Sequence, residues 1–245
     1  MKWTLKDKLR IVGITTSPRS EANTEALIER ALEGAAEFSS ALDYEIDDTL
    51  VSFAGKQILP CRNCDACVKK GSYCVLDDDW LDLIGHLIDP IPDGIVFGSP
   101  VYFFNQNSMA RAFMERCTSL LKKIWHEDFP HPPPDFSTTA AGAVGVGSDR
   151  HGGVEQTIST IIHWLLTMGF NTVGGFYIGG AGWTKESAET DAISQDSLGL
   201  KSAELVGKKV AKSALLLKEG SSHLDLEGTE QLDFRALNHE FGSEV

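Results

Sequence analysis

Long apolar runs are missing from this sequence. No stretch approaches the roughly 18 to 20 consecutive apolar residues that cross a bilayer as a helix, so a membrane protein is not expected. Positive charge is scarce as well. Lys and Arg number 22 against 35 Asp and Glu over 245 residues, a formal net charge of −13. That balance disfavours a protein that tracks nucleic acid, which needs clustered Lys and Arg against phosphates. It equally disfavours docking on anionic lipid. There is no G-x-x-x-x-G-K-[ST] loop, no G-x-G-x-x-G fingerprint, no H-x-x-x-H pair and no nucleophile elbow. Internal repeats are absent too. The opening Met1–Lys8 is too polar for a secretory signal and lacks a cleavage-site pattern, so a cytoplasmic protein is expected.

What is present is a globular composition, 42% hydrophobic and 23% charged, too apolar for a disordered chain. Buried strands are expected at Arg10–Ile14, within Leu42–Phe53, at Asp93–Gly98, at Ala140–Gly147 and at Asn171–Ile178. Helical spacing of apolar residues follows from Asn23, over Trp80–Ile88, from Ser108 to about Ile124, over Val154–Met168 and most clearly over Ala203–Leu217. Strands alternating with helices imply a parallel sheet covered on both faces. Five in this order suit an α/β, flavodoxin-like, doubly wound sheet, whose ligands bind beyond the carboxyl ends of the strands. We expect one domain over residues 1–219 and an acidic tail or docking arm over 220–245.

Three loops after strands carry chemistry. Ser17-Pro18-Arg19 with Asn23 and Thr24 opens the first helix, where free N–H groups and the helix dipole favour a phosphate. A plain capped helix explains the same residues. Gly98-Ser99-Pro100-Val101-Tyr102-Phe103-Phe104 offers backbone donors and flat apolar surface, as an isoalloxazine ring requires. Core packing of an aromatic run is the alternative. In the turn Ser148-Asp149-Arg150-His151-Gly152-Gly153, the glycine pair permits close backbone approach, whether to a ligand or in a tight turn.

Four of the five cysteines, Cys61, Cys64, Cys67 and Cys74, are spaced C-x2-C-x2-C-x6-C. Clustered soft thiolates suit a [4Fe–4S] cluster. Zinc competes, although structural zinc sites usually split into two C-x2-4-C knuckles. Four reduced thiols without a metal are the third possibility. Cys117 sits in a helical pattern and reads as a core residue, and Asp77-Asp78-Asp79 reads as the cap of the helix at Trp80.

Taken together, these segments resemble the iron–sulfur flavoprotein family within the flavodoxin-like, NAD(P)H-dependent FMN reductases. The resemblance runs over about residues 9–218. It implies FMN, with Ser17, Arg19, Asn23 and Thr24 on the phosphate. Pro100, Val101, Tyr102 and Phe103 would line the flavin, together with Ser148, Asp149, Gly152 and Gly153. It also implies a [4Fe–4S] cluster on Cys61, Cys64, Cys67 and Cys74, and a homodimer or homotetramer. The expected function is electron transfer between cluster and flavin, with a ferredoxin or NAD(P)H as redox partner and no catalytic side chain, since the cofactors carry the chemistry. The alternative is an NAD(P)H-dependent FMN reductase of quinones or nitro compounds, with zinc or a structural metal at the cysteines.

Overall fold

Residues buried along nearly their whole length form the central strands, as expected where both sheet faces are covered. In the computed structural model, which describes residues 8–149, 151–175, 179–184, 189 and 192–224, the chain starts with β1 (Leu9–Thr15), α1 (Asn23–Ser40) and β2 (Ile46–Ser52). A short α2 (Ala66–Lys70) and α3 (Trp80–Ile88) follow, then β3 (Gly94–Tyr102), β4 (Asn105–Gln106), α4 (Ser108–Arg116) and α5 (Lys122–Trp125). The last elements are β5 (Ala140–Gly147), α6 (Val154–Thr167), β6 (Asn171–Val173), β7 (Gly180–Trp183) and α7 (Ser197–His223).

The parallel sheet runs β2-β1-β3-β5-β6, five lanes wide as expected. The fifth lane is divided. β6 pairs with Ala140–Gly142 and β7 with Val144–Gly147, beside the same strand. The strand expected over Asn171–Ile178 therefore stops at Val173, and residues 176–178 lie outside the described residues. β4 turns back antiparallel on the end of β3.

Alternate residues of β1 feed two cores. Val12 and Ile14 join Trp80, Phe97 and Phe113 on one face, while Leu9 and Ile11 join Leu27, Val206 and Val210 from α1 and α7 on the other. The α1–α7 crossing is close. A Cβ on Gly207 would stand 1.7 Å from the Ala31 carbonyl oxygen, so only glycine fits. Beside it the Glu204 carboxylate, 5% exposed, takes Lys201 and Lys208 at 2.5 Å each and also Arg30.

Other boundaries differ from expectation, and β3 runs on to Tyr102 beyond the strand expected to end at Gly98. The helix expected to reach Ile124 breaks at Arg116, because that side chain turns inward and its carbonyl accepts from Ser119 Oγ at 2.8 Å. A tight turn at Cys117–Leu121 separates α4 from α5. The cysteine segment, expected to be loop, contains α2. Finally, α7 extends through His223, so Gly220 to His223 are helical, and residues 225–245 lie outside the described residues. Among the described residues no helix is long and apolar enough to cross a membrane.

The Glu204 cluster yields a pH prediction. Hydrogen bonds from Lys201 and Lys208, with Arg30 beside them, lower its carboxyl from 4.5 to about 2 against the cost of burial. Its stabilisation is complete above the unfolded value and is lost as pH falls from 4.5 towards 2. Denaturant unfolding across that window should show the loss, and Glu204→Gln should flatten the slope while lowering stability at neutral pH.

Candidate active site

Asn107 ties the carboxyl edge of the sheet together. It is fully buried, and it is the N-cap of α4, its Oδ1 accepting from Ala110 N at 3.0 Å. The same oxygen accepts from Thr16 Oγ1 at 3.1 Å, and Nδ2 donates to the Thr16 carbonyl at 2.6 Å. Asn107 N donates to Ser99 Oγ at 3.2 Å, and Thr16 N to the Gly98 carbonyl at 3.0 Å. The ends of β1 and β3, the switch point of this topology, are thereby held in one network. Sequence reasoning passed over Asn107, although an Asn immediately before a helical pattern is itself a cap signal.

The loop from β1 to α1 lies at this edge. Ser17 is buried and its hydroxyl closes a local turn, accepting from Arg19 N at 3.1 Å and donating to the Arg19 carbonyl at 3.0 Å. Arg19 is exposed and Thr24 buried. Asn23 is committed elsewhere: Nδ2 donates to the Glu189 carbonyl at 2.7 Å and Oδ1 accepts from Ile193 N at 2.9 Å. It braces the segment after β7 against the start of α1. The N-cap position of this 18-residue helix is Ala22, which provides no side-chain cap, so the first-turn N–H groups keep their capacity for an anion. Thr15 Oγ1 and Thr184 Oγ1, at the ends of β1 and β7, are buried without a hydrogen-bond partner. Unmet donors and an uncapped helix start at one edge fit a phosphorylated ligand.

The aromatic loop is a two-residue hairpin. Val101 pairs with Gln106 and Tyr102 with Asn105, leaving Phe103 and Phe104 at the tip. Both have positive φ, 48° and 66°, the geometry of a turn that favours Asn-Gly. For bulky residues this conformation costs on the order of 1–2 kcal/mol each. Phe103 is 97% exposed and Phe104 65%, so these rings are not core packing. Pro100 and Val101 are half-buried and Tyr102 exposed.

The Ser148–Gly153 turn packs directly on that hairpin. Gly153 has φ 107°, and a Cβ there would lie 2.5 Å from Phe104 Cα. Asp149 Oδ1 accepts from His151 N at 3.0 Å, and the Ser148 carbonyl accepts from Trp183 Nε1 at 2.6 Å. Ser148 and Asp149 are exposed and Gly152 half-buried. Arg150 lies outside the described residues. The structure thus brings together the aromatic hairpin, the glycine turn and β7, while Asn107 joins the ends of β1 and β3.

The cysteine loop corrects an expectation. Among the described residues, no three His, Cys, Asp or Glu side chains form a group that could hold a metal ion. The [4Fe–4S] cluster expected at Cys61, Cys64, Cys67 and Cys74, its zinc alternative and the reading of this segment as a cluster loop are therefore set aside. The physical reason lies in the path of the chain. Left-handed Asn63 and Asp65 swing Cys61 and Cys64 to the exposed rim, whereas Cys67 on α2 and Cys74 beyond the left-handed Gly71 are half-buried. All four cysteines line one cavity of about 40 Å³, yet among the described residues no three of them form a group able to hold a metal ion. Burial also pushes the Cys67 thiol upward.

The base of this loop is braced. Asp78 accepts from Leu59 N at 2.7 Å and Trp80 N at 3.2 Å, and it pairs with Arg116. Both side chains are buried, and the Arg116 guanidinium lies 4.8 Å from the Trp80 ring centroid. Asp79 accepts from Gln57 N at 2.7 Å. The acidic run is expected to cap α3, but its N-cap residue, Asp79, makes no side-chain cap bond, and the run instead anchors the cysteine loop through Gln57 and Leu59. Cys117 is a core residue, its thiol raised by full burial and donating to the Phe113 carbonyl.

Comparisons with known proteins agree with this architecture. The family described as NADPH-dependent FMN reductase matches residues 9–184. An iron–sulfur flavoprotein of Methanocaldococcus jannaschii is 32% identical over 216 residues, covering 86% of this chain and 100% of its own length. Among solved structures, a flavone reductase matches with a TM-score of 0.58 at 16% identity. That match covers 91% of this chain but only 65% of the flavone reductase. RosB with a bound 8-demethyl-8-formylriboflavin-5′-phosphate has a TM-score of 0.58 at 16% identity, over 97% of this chain and 88% of RosB. At such identities the two structures establish the fold.

Asn107→Ala removes the α4 cap and takes away the side-chain partners of the Thr16 carbonyl and hydroxyl, while Ser99 Oγ keeps the backbone N–H of residue 107. Unfolding in urea should show a loss of about 2 kcal/mol or more. A loss within error of zero would mean that the network is not what holds this edge.

Proposed function

The chain belongs to the NADPH-dependent FMN reductase family, and on that premise we propose that it passes hydride from NADPH by way of FMN to a planar acceptor. As a member of that family it is an FMN-dependent oxidoreductase. Quinones and nitro compounds are the acceptor classes in this reading, and NADPH rather than a one-electron ferredoxin is the donor. The observation that carries it is the uncapped start of α1 beside Ser17 and Arg19, at the switch point between β1 and β3.

FMN, when bound, supplies the two-electron chemistry. The chain's own residues bind and orient. Ser17, Arg19 and Thr24 meet the phosphate with the first-turn N–H groups, and Asn23 contributes by fixing Glu189 and Ile193 beside them. Pro100, Val101, Tyr102 and Phe103, with Ser148, Asp149, Gly152 and Gly153 of the turn packed against that hairpin, would hold the flavin. The strained Phe103–Phe104 tip is kept because flat apolar surface is needed at the rim, where it shields the ring from water and receives a planar acceptor. The same exposed rings support a homo-oligomer in this reading, and the five free cysteines fit a reducing, cytoplasmic setting.

Anaerobic mixing of the FMN-loaded protein with NADPH should bleach the flavin, and a quinone should restore its colour. If neither NADPH nor NADH bleaches bound FMN, the reading is wrong. Arg19→Ala should weaken FMN binding by about 10- to 100-fold, the worth of one charge-assisted contact, and leave riboflavin binding unchanged. Replacing the tip as Phe103→Asn with Phe104→Gly should raise stability by about 1 kcal/mol or more, since these residues suit the turn. The same double variant should raise the acceptor KM more than it slows flavin reduction.

A further inference from the structure

The start of α1, where the phosphate is read to bind, already carries a negative charge. Glu25 sits in the first turn of the helix, and its side chain is buried. Its Oε1 accepts from the Glu21 N–H at 3.1 Å, and its Oε2 accepts from Ser52 Oγ at 3.1 Å. The carboxylate therefore bridges α1, the loop that follows β1 and the end of β2. Glu21, just before the N-cap position, is left-handed at φ 50°. Ser52 stands beside Thr15 in the parallel register, and Thr15 Oγ1 is a buried, unpartnered hydroxyl at this edge.

Both donors to Glu25 are neutral, and among the described residues no Lys or Arg pairs with it. Its charge is offset by hydrogen bonds and the helix dipole, not by a cation. Further carboxylates follow at a spacing of four, at Glu29 and Glu33, and so share its side of the helix. Partial desolvation, and then the charges of Glu25, Glu33 and Glu21, push the Glu29 carboxyl upward. A phosphate at the first-turn N–H groups adds a second anion to a helix start that holds one. Beside a buried carboxylate that repulsion is only weakly screened.

We propose that Glu25 sets how tightly this protein holds the phosphate of its flavin: it positions the loop before α1, while its charge opposes the phosphate. The inference rests on the reading of α1 as the FMN phosphate site. Without flavin, the carboxylate fills the anion's role at the helix start and keeps the loop in shape. Discrimination between phosphorylated and unphosphorylated flavin then turns on a balance. Arg19 attracts the phosphate, and Glu25 opposes it.

The test titrates the full-length protein, stripped of bound flavin, with FMN and with riboflavin and follows the quenching of flavin fluorescence. Glu25→Gln keeps an acceptor for the Glu21 N–H and removes the charge. FMN should then bind about tenfold more tightly, while riboflavin changes by less than about twofold. Glu25→Ala removes the acceptor as well, and FMN should bind it more weakly than it binds Glu25→Gln. Glu21 is exposed and bonds Glu25 only through its backbone, so Glu21→Gln should fold normally and tighten FMN by a smaller factor. The proposal is overturned if Glu25→Gln binds FMN no more tightly than the wild type, if riboflavin tightens equally, or if Glu25→Ala matches Glu25→Gln. Should Glu25→Gln fail to fold, an unchanged FMN affinity in Glu21→Gln overturns it. If the wild type binds FMN no better than riboflavin, the reading of α1 as the phosphate site falls and the proposal with it. These are binding readouts, so their outcome is separable from that of the NADPH experiment.

Discussion

One buried amide holds the working edge of this molecule in register. Asn107 bonds at the same time to the loop after β1, to Ser99 near the end of β3 and to the first turn of α4. A buried polar group stabilises only when its partners are in place. The network is therefore all-or-none, and it fixes where β1 and β3 end relative to one another. The uncapped α1, the aromatic hairpin and the glycine turn inherit their positions from it.

The second constraint is the Asp78–Arg116 pair against Trp80. A buried ion pair repays its desolvation only with further hydrogen bonds. Here Leu59 N and Trp80 N provide them on the Asp78 side. The pair explains two features that look unrelated in sequence. Arg116 must turn into the core, which ends α4 early, and Asp78 must hold the strand of chain that leads into the cysteines.

Much of the fold was legible because it rests on local periodicity. The bounds of α3 and β5 agree with the spacing of apolar residues in Trp80–Ile88 and Ala140–Gly147, and the family resemblance read from the loops agrees with the family match. What escaped has a common cause. The break at Arg116 depends on a partner 38 residues away. The β3–β4 hairpin places two phenylalanines in a turn that sequence rules reserve for Asn and Gly. The split fifth lane depends on which part of β5 each segment meets.

The cysteines show the division most clearly. Sequence alone determined that four thiols lie within 14 residues and that strand, loop and helix alternate around them. It determined too that hydroxyls and an arginine precede the first helix. Spacing specifies how far apart residues are along the chain, but not which way their side chains face. Only the tertiary structure decided that, through left-handed turns at Asn63 and Asp65 and through braces from Asp78 and Asp79 to distant backbone. Side-chain direction is set by backbone dihedrals and by contacts far away in sequence, and neither is encoded in a spacing.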